Sequence, residues 1–142
     1  MVYVPARNAI YWGYQGGGAF CQETTRIKPI TVRQVPDRGA VAVASASHLD
    51  AATTNWLADH QINQTTSIGS SLKFALVASG QADVYPRFGP TMEWDTAAGD
   101  AILRAAGGMV FHPDGEIYHY GKQDYRNTPF IACGRLTPSA NT

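Results

Sequence analysis

The feature that most constrains the fold is the stretch over residues 83–108, where a Pro/Gly-rich loop leads into a helix that stops at two glycines. Gly107 and Gly108 follow a periodic apolar segment, and helices commonly end where a glycine can adopt a left-handed backbone. Asp95 lies in or beside the first helical turn, where its carboxylate can accept from free backbone N–H groups and favours the positive end of the helix dipole. The stretch therefore predicts a helix that holds Asp95 at a strand-to-helix junction.

Small residues recur through this predicted helix at spacings of three and four, which places them along one side. We expect this narrow apolar stripe to face a sheet at close range. Its members are Ala97, Ala98, Ala101, Ile102 and Ala105.

Length and charge balance exclude several classes of protein. The 142 residues are enough for one domain with a real core, and 11 basic residues balance 11 acidic ones. A nucleic-acid groove or a membrane-binding patch would need a basic excess, which is absent. There is no apolar run near the roughly 20 residues of a membrane span, and no basic-then-apolar signal pattern follows Met1. We therefore expect a soluble, cytoplasmic protein.

The two cysteines do not indicate a disulfide scaffold or a metal site. Cys21 and Cys133 lie far apart in the sequence, and each is part of an apolar string. Buried, reduced thiols are the favoured interpretation, and a disulfide or a catalytic thiol is the minor alternative.

The first third of the chain resembles an antiparallel meander. Short β-prone runs lie at residues 2–4, 9–12 and 19–21, with turn-forming residues between them. Three glycines at 16–18 could form a phosphate cradle, but no Lys-Ser/Thr pair and no helix follow them, so a hairpin turn is favoured. Residues 23–39 are predicted to be a strand or a linker that crosses between two sheets.

From Ala40 to Gly134 strands alternate with helices, which predicts a layered α/β sandwich with a mixed sheet. Residues 40–44 and 65–68 are predicted to be buried strands. The other predicted elements are a helix at 50–59 with Leu49, Ala52 and Trp56 on one side, a helix at 72–79, and strands at 83–85, 109–111, 117–120 (after an Asp114-Gly115 turn) and 130–133.

Three loops of this α/β part lead from strand ends into helix N-termini, where sites in open α/β sheets gather. They carry His48, residues 70–73 and residues 87–95. Serines that open a helix offer hydroxyl and N–H groups to an anion, Lys73 lies one turn further on, and Arg87 supplies a planar fork for phosphate. Asp95 supplies a hard oxygen ligand that suits Mg²⁺.

Each of these residues also has an ordinary structural interpretation. The serines can be helix caps, and Lys73 and Arg87 can be solvated surface groups. Asp95 can be a cap with no metal, and His48 a loop residue that makes hydrogen bonds. A second metal site at His112 and His119, with Asp114 and Glu116, is the minor alternative, because the Asp-Gly turn alone brings them together.

Three strings of residues resemble a known family. Residues 92–99, Met-Glu-Trp-Asp-Thr-Ala-Ala-Gly, with Ala-Gly-Gly at 106–108, are similar to the C-terminal signature of the inositol monophosphatase superfamily. Residues 69–74, Gly-Ser-Ser-Leu-Lys-Phe, and 83–87, Asp-Val-Tyr-Pro-Arg, narrow the resemblance to its 3′(2′),5′-bisphosphate nucleotidase branch. The similarity runs from Val2 to about Gly134 and covers only the latter half of a family member.

The resemblance implies a role for each candidate residue. Asp95 would bind Mg²⁺, while His48, Ser70, Lys73 and Arg87 would contact the nucleotide and its non-scissile phosphate. Weaker candidates are Ser47 and Glu93, and Trp94 is expected to pack.

The implied activity is magnesium-dependent hydrolysis of a phosphate monoester. The implied substrates are adenosine 3′,5′-bisphosphate and the related sulfated adenylate of sulfur metabolism. Inositol monophosphate is the alternative substrate, and a non-catalytic module that binds a nucleotide or a protein partner is the alternative function.

Family members also carry an Asp-Pro-x-Asp-Gly-Thr loop with further metal ligands, and these 142 residues do not contain it. We therefore expect this polypeptide by itself to be catalytically inactive or nearly so. By the same resemblance, residues 1–39 are the remnant of an N-terminal sheet plus a crossing linker, and residues 40–142 are the C-terminal α/β lobe. The unpaired edges of this N-terminal sheet remnant predict a homodimer, a swapped assembly or a complementing N-terminal lobe.

Overall fold

The computed structural model describes residues 1–45, 50–69 and 71–136. Four strands form a first, antiparallel sheet in the order β1-β2-β3-β4. Their bounds are β1 Val2–Val4, β2 Ala9–Tyr14, β3 Gly18–Glu23 and β4 Arg26–Ile30. The predicted meander is confirmed, and Gly16 and Gly17 lie in the turn of its central hairpin while Gly18 begins β3. Gly16 and Gly18 have φ angles of 78° and 85°, a backbone region that favours glycine.

Five strands form a second, mixed sheet in the order β6-β5-β7-β9-β8. Strand β5 runs parallel to both of its neighbours, whereas β9 runs antiparallel to β7 and β8. The bounds are β5 Val41–Ala44, β6 Gln64–Ser67, β7 Val84–Arg87, β8 Met109–Phe111 and β9 Phe130–Cys133, with helices α1 Ala51–Asp59, α2 Leu72–Ala78 and α3 Glu93–Ala105. The predicted layered α/β sandwich is confirmed.

Two apolar clusters define the layers. The larger one joins the inner face of the first sheet to α2, α3 and one face of the second sheet; it includes Tyr11, Phe74, Leu103 and Phe130. The smaller one joins the other face of the second sheet to Trp56 and neighbouring residues of α1. The order of layers is therefore first sheet, α2 with α3, second sheet, α1. The division of the chain into two domains stays a prediction.

Helices α2 and α3 meet where one of them has no side chain. A Cβ atom at Gly99 of α3 would lie 2.6 Å from the ring of Phe74 in α2. All seven residues of α2 are buried, since the helix is covered by α3 and by both sheets. The N-terminal ends of the two helices are thereby held close together.

A buried ion pair fixes the linker between the two sheets. The guanidinium of Arg33 donates to both carboxylate oxygens of Asp83, through Nε over 2.9 Å and Nη2 over 2.6 Å. The backbone N–H of Val41 donates to the same carboxylate over 2.8 Å. Asp83 therefore joins the linker to the starts of both β5 and β7.

The predicted small-residue stripe of α3 is only partly correct. Ala97, Ala98 and Ala101 are exposed, whereas Ile102 is buried and the partly buried Ala105 packs against the larger apolar cluster. The helix instead buries a face that contains polar Thr96 and Asp100, because each of them finds a hydrogen-bond partner.

Three smaller predictions also differ from the structure. Strand β6 was expected to be buried, but it lies at an edge of the second sheet and all four of its residues are exposed. Helix α1 buries Thr53, Trp56 and Leu57 while Ala52 is exposed, and Leu49 lies outside the described residues. Residues 117–120 form no ladder beyond one bridge between Phe111 and Ile117.

Candidate functional site

One pocket lies where the N-terminal ends of α2 and α3 meet the end of β7. Its volume is about 210 Å³. Of the predicted site residues, Lys73, Arg87 and Asp95 all line it. The full lining is Ser45, Ser71, Lys73, Phe74, Tyr85, Arg87, Thr91, Asp95 and Thr96. Ser47, His48 and Ser70 lie outside the described residues, so their predicted contacts stay predictions.

Lys73 is a buried cation with little to neutralise it. The residue is only 4% exposed, and its Nζ donates to the carbonyl of Ile68 over 3.2 Å. The same Nζ lies 5.1 Å from the ring centroid of Tyr85. Burial, and then the positive charge of Arg87, lower the pKa of Lys73 to about 8. An anion in the pocket would remove this electrostatic penalty.

Arg87, the last residue of β7, is oriented by the loop that follows it. Its Nε donates to the carbonyl of Gly89 over 3.3 Å and its Nη2 to the carbonyl of Pro90 over 3.2 Å. These two bonds use only part of the five donors of a guanidinium, so others remain for a ligand. Lys73 and Arg87 together make one wall of the pocket positive.

Asp95 caps its own helix with one oxygen. Its Oδ2 accepts from the backbone N–H of Met92 over 2.9 Å, so the predicted capping role is present. Within the described ranges Oδ1 has no protein donor, and the side chain is exposed at the pocket. One hard oxygen beside an anion-binding wall fits a single ligand to Mg²⁺, which takes few protein carboxylates. The described ranges contain no group of three or more His, Cys, Asp or Glu that could hold a metal ion unaided.

Ser71 connects the two helix ends. It precedes α2, but its side chain makes no capping hydrogen bond there. Its hydroxyl instead donates to the backbone carbonyl of Asp95 over 3.2 Å. The helix-cap interpretation of a serine at this place is therefore wrong for Ser71.

Tyr85 forms the floor of the pocket, and its role was not predicted. Its ring packs edge-on against Phe74 and Phe130, at centroid distances of 5.3 and 5.4 Å. Burial outweighs the opposing positive charge of Arg87 and, with a smaller effect from the negative charge of Asp95, raises the pKa of Tyr85 to about 12. Tyr85 therefore stays neutral at ordinary pH.

A buried amide supports the residues at the start of α3. The Nδ2 of Asn127 lies 3.0 Å from Thr91 Oγ1, 2.8 Å from the carbonyl oxygen of Met92 and 3.1 Å from Thr96 Oγ1, and its two hydrogens are shared among these three acceptors. Thr91 and Thr96 line the pocket on either side of Asp95. Asn127 is 31 positions from Thr96, so no local sequence signal could have found this contact.

Glu93 and Trp94 are not among the residues that line the pocket. Both oxygens of Glu93 accept hydrogen bonds from the loop at Gly121 and Lys122, and these bonds lower the pKa of the carboxyl. Trp94 was expected to pack, but it is 66% exposed, with its ring centroid 6.2 Å from that of Tyr125. The expected packing of Trp94 is therefore wrong, because the buried face of α3 lies on another side.

The remaining candidate residues, His112 and the two cysteines, do not line the pocket. Oγ1 of Thr128 lies 3.2 Å from Nδ1 of His112, within hydrogen-bond distance. Cys21 and Cys133 are both buried, free thiols, as predicted, and burial raises the pKa of each.

None of the helices within residues 1–45, 50–69 and 71–136 combines the length and apolar character that crossing a bilayer requires.

Comparisons with known proteins identify relatives of this chain. The profile of the inositol monophosphatase family matches residues 1–141. The 3′(2′),5′-bisphosphate nucleotidase CysQ of Salmonella typhimurium is 48% identical over 120 residues, which are 84% of this chain and 48% of that protein. An uncharacterized protein in the pss 5′ region of Rhizobium leguminosarum bv. phaseoli is 58% identical over 86 residues, or 56% of this chain and 90% of that one.

A solved structure shares the fold. The crystal structure of CysQ from Bacteroides thetaiotaomicron, described as a bacterial member of the inositol monophosphatase family, superposes with a TM-score of 0.84 at 38% identity. The superposition covers 94% of this chain and 56% of that one. This chain thus spans about half the length of the CysQ proteins it matches.

Proposed function

The chain belongs to the inositol monophosphatase family, and we propose that it forms the phosphate-binding lobe of a magnesium-dependent phosphomonoesterase acting on adenosine 3′,5′-bisphosphate. The products would be AMP and phosphate. The observation that carries the proposal is the meeting of Lys73, Arg87 and Asp95 in one pocket between two helix ends. Two cations there suit a phosphoryl group, and the carboxylate suits its metal.

The substrate class is supported by charge and by relatives. A bisphosphate carries a second anionic group besides the one that is cleaved, and the positive wall formed by Lys73 and Arg87 offers a place for it. Relatives at 48% identity bear the name 3′(2′),5′-bisphosphate nucleotidase. We expect His48, Ser70 and Ser47 to complete the nucleotide contacts. An inositol monophosphate has no second phosphate for this wall, and it remains the alternative substrate.

Asp95 is the residue that would hold the metal. Mg²⁺, when bound, supplies positive charge to the phosphoryl oxygens and lowers the pKa of a bound water. The chain's own contribution is positional. The bond from Met92 N to Oδ2 fixes the rotamer of Asp95, and the bond from Ser71 to its carbonyl fixes the backbone. Lys73 and Arg87 would orient the substrate against that carboxylate.

The described residues place one carboxylate at the pocket, which is too few for the cluster of ions that such a reaction uses. We therefore infer that activity needs further ligands, supplied by a complementing N-terminal lobe or by another copy in a homodimer. The non-catalytic alternative is a module that binds the nucleotide without cleaving it. The location of the protein in the cytoplasm stays a prediction.

The test measures binding and turnover separately. Binding of adenosine 3′,5′-bisphosphate to the 142-residue chain is followed by calorimetry, with Lys28→Met as the matched control for Lys73→Met. Phosphate release with Mg²⁺ is then measured with and without the N-terminal lobe of a CysQ relative, for the native chain, Asp95→Asn and the turn variant Asp114→Asn.

Each result assigns one function. Turnover only with the added lobe, lost in Asp95→Asn but kept in Asp114→Asn, supports the proposed enzyme. Binding that depends on Lys73 with no turnover under any condition supports the non-catalytic module. Release from inositol monophosphate in preference to the bisphosphate contradicts the proposed substrate.

A further inference from the structure

The chain has three lysines, and their surroundings differ sharply. Lys28 is exposed and its Nζ lies 3.1 Å from a carboxylate oxygen of Glu23. The Nζ of Lys122 lies 3.2 Å from an oxygen of Glu93 and 4.0 Å from the ring centroid of Tyr118. Each of these two amines therefore has a carboxylate as its counter-ion.

Lys73 has no such partner among residues 1–45, 50–69 and 71–136. Its Nζ donates to one backbone carbonyl, and the charged group that most affects it is the cation Arg87. Although the residue is buried, it lines the pocket beside Arg87, so a small molecule bound there would lie against its side chain. Burial without a counter-ion favours the neutral amine, which is the nucleophilic form.

We propose that Lys73 is an imine-forming lysine that condenses with small phosphorylated aldehydes, whose phosphate is bound by Arg87. The neutral Nζ attacks the carbonyl carbon, a C–N bond forms, and the carbonyl π electrons become a lone pair on oxygen. Two protons leave nitrogen in the course of the reaction, the oxygen departs as water, and a C=N bond results. No electrons are exchanged with another molecule, so the step needs no oxidant or reductant.

The expected preference for Lys73 over the other lysines follows from the fraction of its amine that is neutral. With the pKa of Lys73 lowered to about 8, about a hundredfold more of this amine than of a solvated lysine is neutral near pH 7.5. A more acidic amine is a weaker nucleophile, which offsets part of this gain. A preference of about tenfold for Lys73 over each of the other lysines remains as the expectation.

This modification goes beyond the proposed phosphatase function, although it uses the same pocket. It requires neither a metal ion nor the carboxylate of Asp95. An imine at Lys73 would occupy the place of a phosphorylated ligand, so phosphorylated aldehydes would act as covalent, reversible blockers of the pocket.

The experiment treats the 142-residue chain with pyridoxal 5′-phosphate at pH 7.5, reduces the imine with borohydride and maps the adducts by mass spectrometry. We expect the adduct at Lys73 to exceed those at Lys28 and Lys122 about tenfold. The preference should vanish in concentrated guanidinium, where the chain is unfolded. Equal labelling of the three lysines in the folded chain, or labelling of Lys73 only after unfolding, would overturn the proposal.

Variants of Lys73 and Arg87, and competition by a nucleotide, test the reactive amine and the phosphate-binding guanidinium separately. Lys73→Arg keeps the charge and should lose the adduct, whereas the exposed control Lys28→Arg should keep it. Arg87→Met should remove the preference for pyridoxal 5′-phosphate over pyridoxal, and an unchanged preference contradicts the role of Arg87. Protection by adenosine 3′,5′-bisphosphate would support the nucleotide assignment as well. Selective labelling of Lys73 without protection by the nucleotide would support the reactive lysine and contradict the nucleotide assignment.

Discussion

The hydroxyl of Ser71 donates a hydrogen bond to the backbone carbonyl of Asp95 over 3.2 Å, across 24 positions of sequence. This bond ties the residue before α2 to the first turn of α3. The two helices carry the main cation and the carboxylate of the candidate site, respectively. A side chain that sequence patterns assign to local capping thus spans two elements.

Replacing this hydroxyl should loosen Asp95. We expect Ser71→Ala to lower the free energy of unfolding by about 1 kcal/mol, the usual net value of one hydrogen bond, and to weaken Mg²⁺-dependent nucleotide binding. Ser79→Ala is the matched control, because its hydroxyl donates to the carbonyl of Leu76 at the other end of α2. Urea unfolding and calorimetry check both effects, and equal binding losses in the two variants would contradict the role of Ser71.

The buried amine of Lys73 should make stability depend on pH. Its pKa is lowered from 10.5 to about 8, so at this group the unfolded chain binds more protons between these values, and the contribution of Lys73 to stability rises with pH through that window. Below pH 8 the penalty is fully present, and 1.36 kcal/mol per pKa unit puts it at about 3 kcal/mol as an upper value.

We therefore expect Lys73→Met to raise the free energy of unfolding by about 1–3 kcal/mol at pH 7, and this difference from the native chain should shrink between pH 8 and 9.5. Measurements should stop there, because Tyr85 stays neutral in the folded state while tyrosines of the unfolded chain ionise near pH 10. The buried thiols Cys21 and Cys133, whose pKa values are raised, act equally on both chains and cancel in the difference. Lys28→Met, at an exposed position, should leave the pH profile unchanged. If Lys73→Met is less stable than the native chain at pH 7, the favourable contacts of the amine outweigh the free-energy cost of burying it.

Asn127 should matter for stability more than its surface neighbours do. Removal of its amide leaves Thr91 Oγ1, the carbonyl of Met92 and Thr96 Oγ1 without their donor. We expect Asn127→Ala to cost about 2–3 kcal/mol in urea unfolding, since several buried groups lose a partner. Asn63→Ala, which removes one bond to the carbonyl of Gln61 at an exposed position, is the control and should cost under about 0.5 kcal/mol.

The ion pair of Arg33 with Asp83 should be worth far more than the exposed pair of Lys28 with Glu23. The side chain of Asp83 is only 1% exposed, and its loss would leave a guanidinium without its counter-charge. We expect Asp83→Asn to lower the free energy of unfolding by about 3 kcal/mol, against at most about 1 kcal/mol for Glu23→Gln. Similar losses in the two variants, measured by urea unfolding, would show that burial of Asp83 does not decide the strength of its pair.

Much of the fold could be predicted because alternation of apolar runs with glycine and proline marks the ends of elements. The strands of both sheets and the helix that begins near Asp95 follow these signals. The exposed face of α3 was not predictable in the same way. Alanine is compatible with either environment, and the burial of Thr96 and Asp100 depends on partners, of which Asn127 is distant in sequence.

The candidate site was predictable for charged residues and not for neutral ones. Lys73, Arg87 and Asp95 follow strand ends, and a parallel arrangement of strands brings such ends to one edge. Tyr85 and Asn127 carry no charge and follow no spacing rule, so only the folded chain reveals them. Ser71 was considered a cap, because a sequence cannot distinguish a hydroxyl that bonds its own helix from one that bonds the next.

Gly99 has a consequence for the size of ligand that this lobe can accept. Its missing side chain lets α3 lie directly on the ring of Phe74, and Lys73 and Asp95 line the pocket next to that contact. One added methyl group would act as a wedge at the crossing and widen the gap between cation and carboxylate. The distance between cation and carboxylate, and with it the size of phosphoryl group that the pocket admits, thus depends on a glycine at position 99.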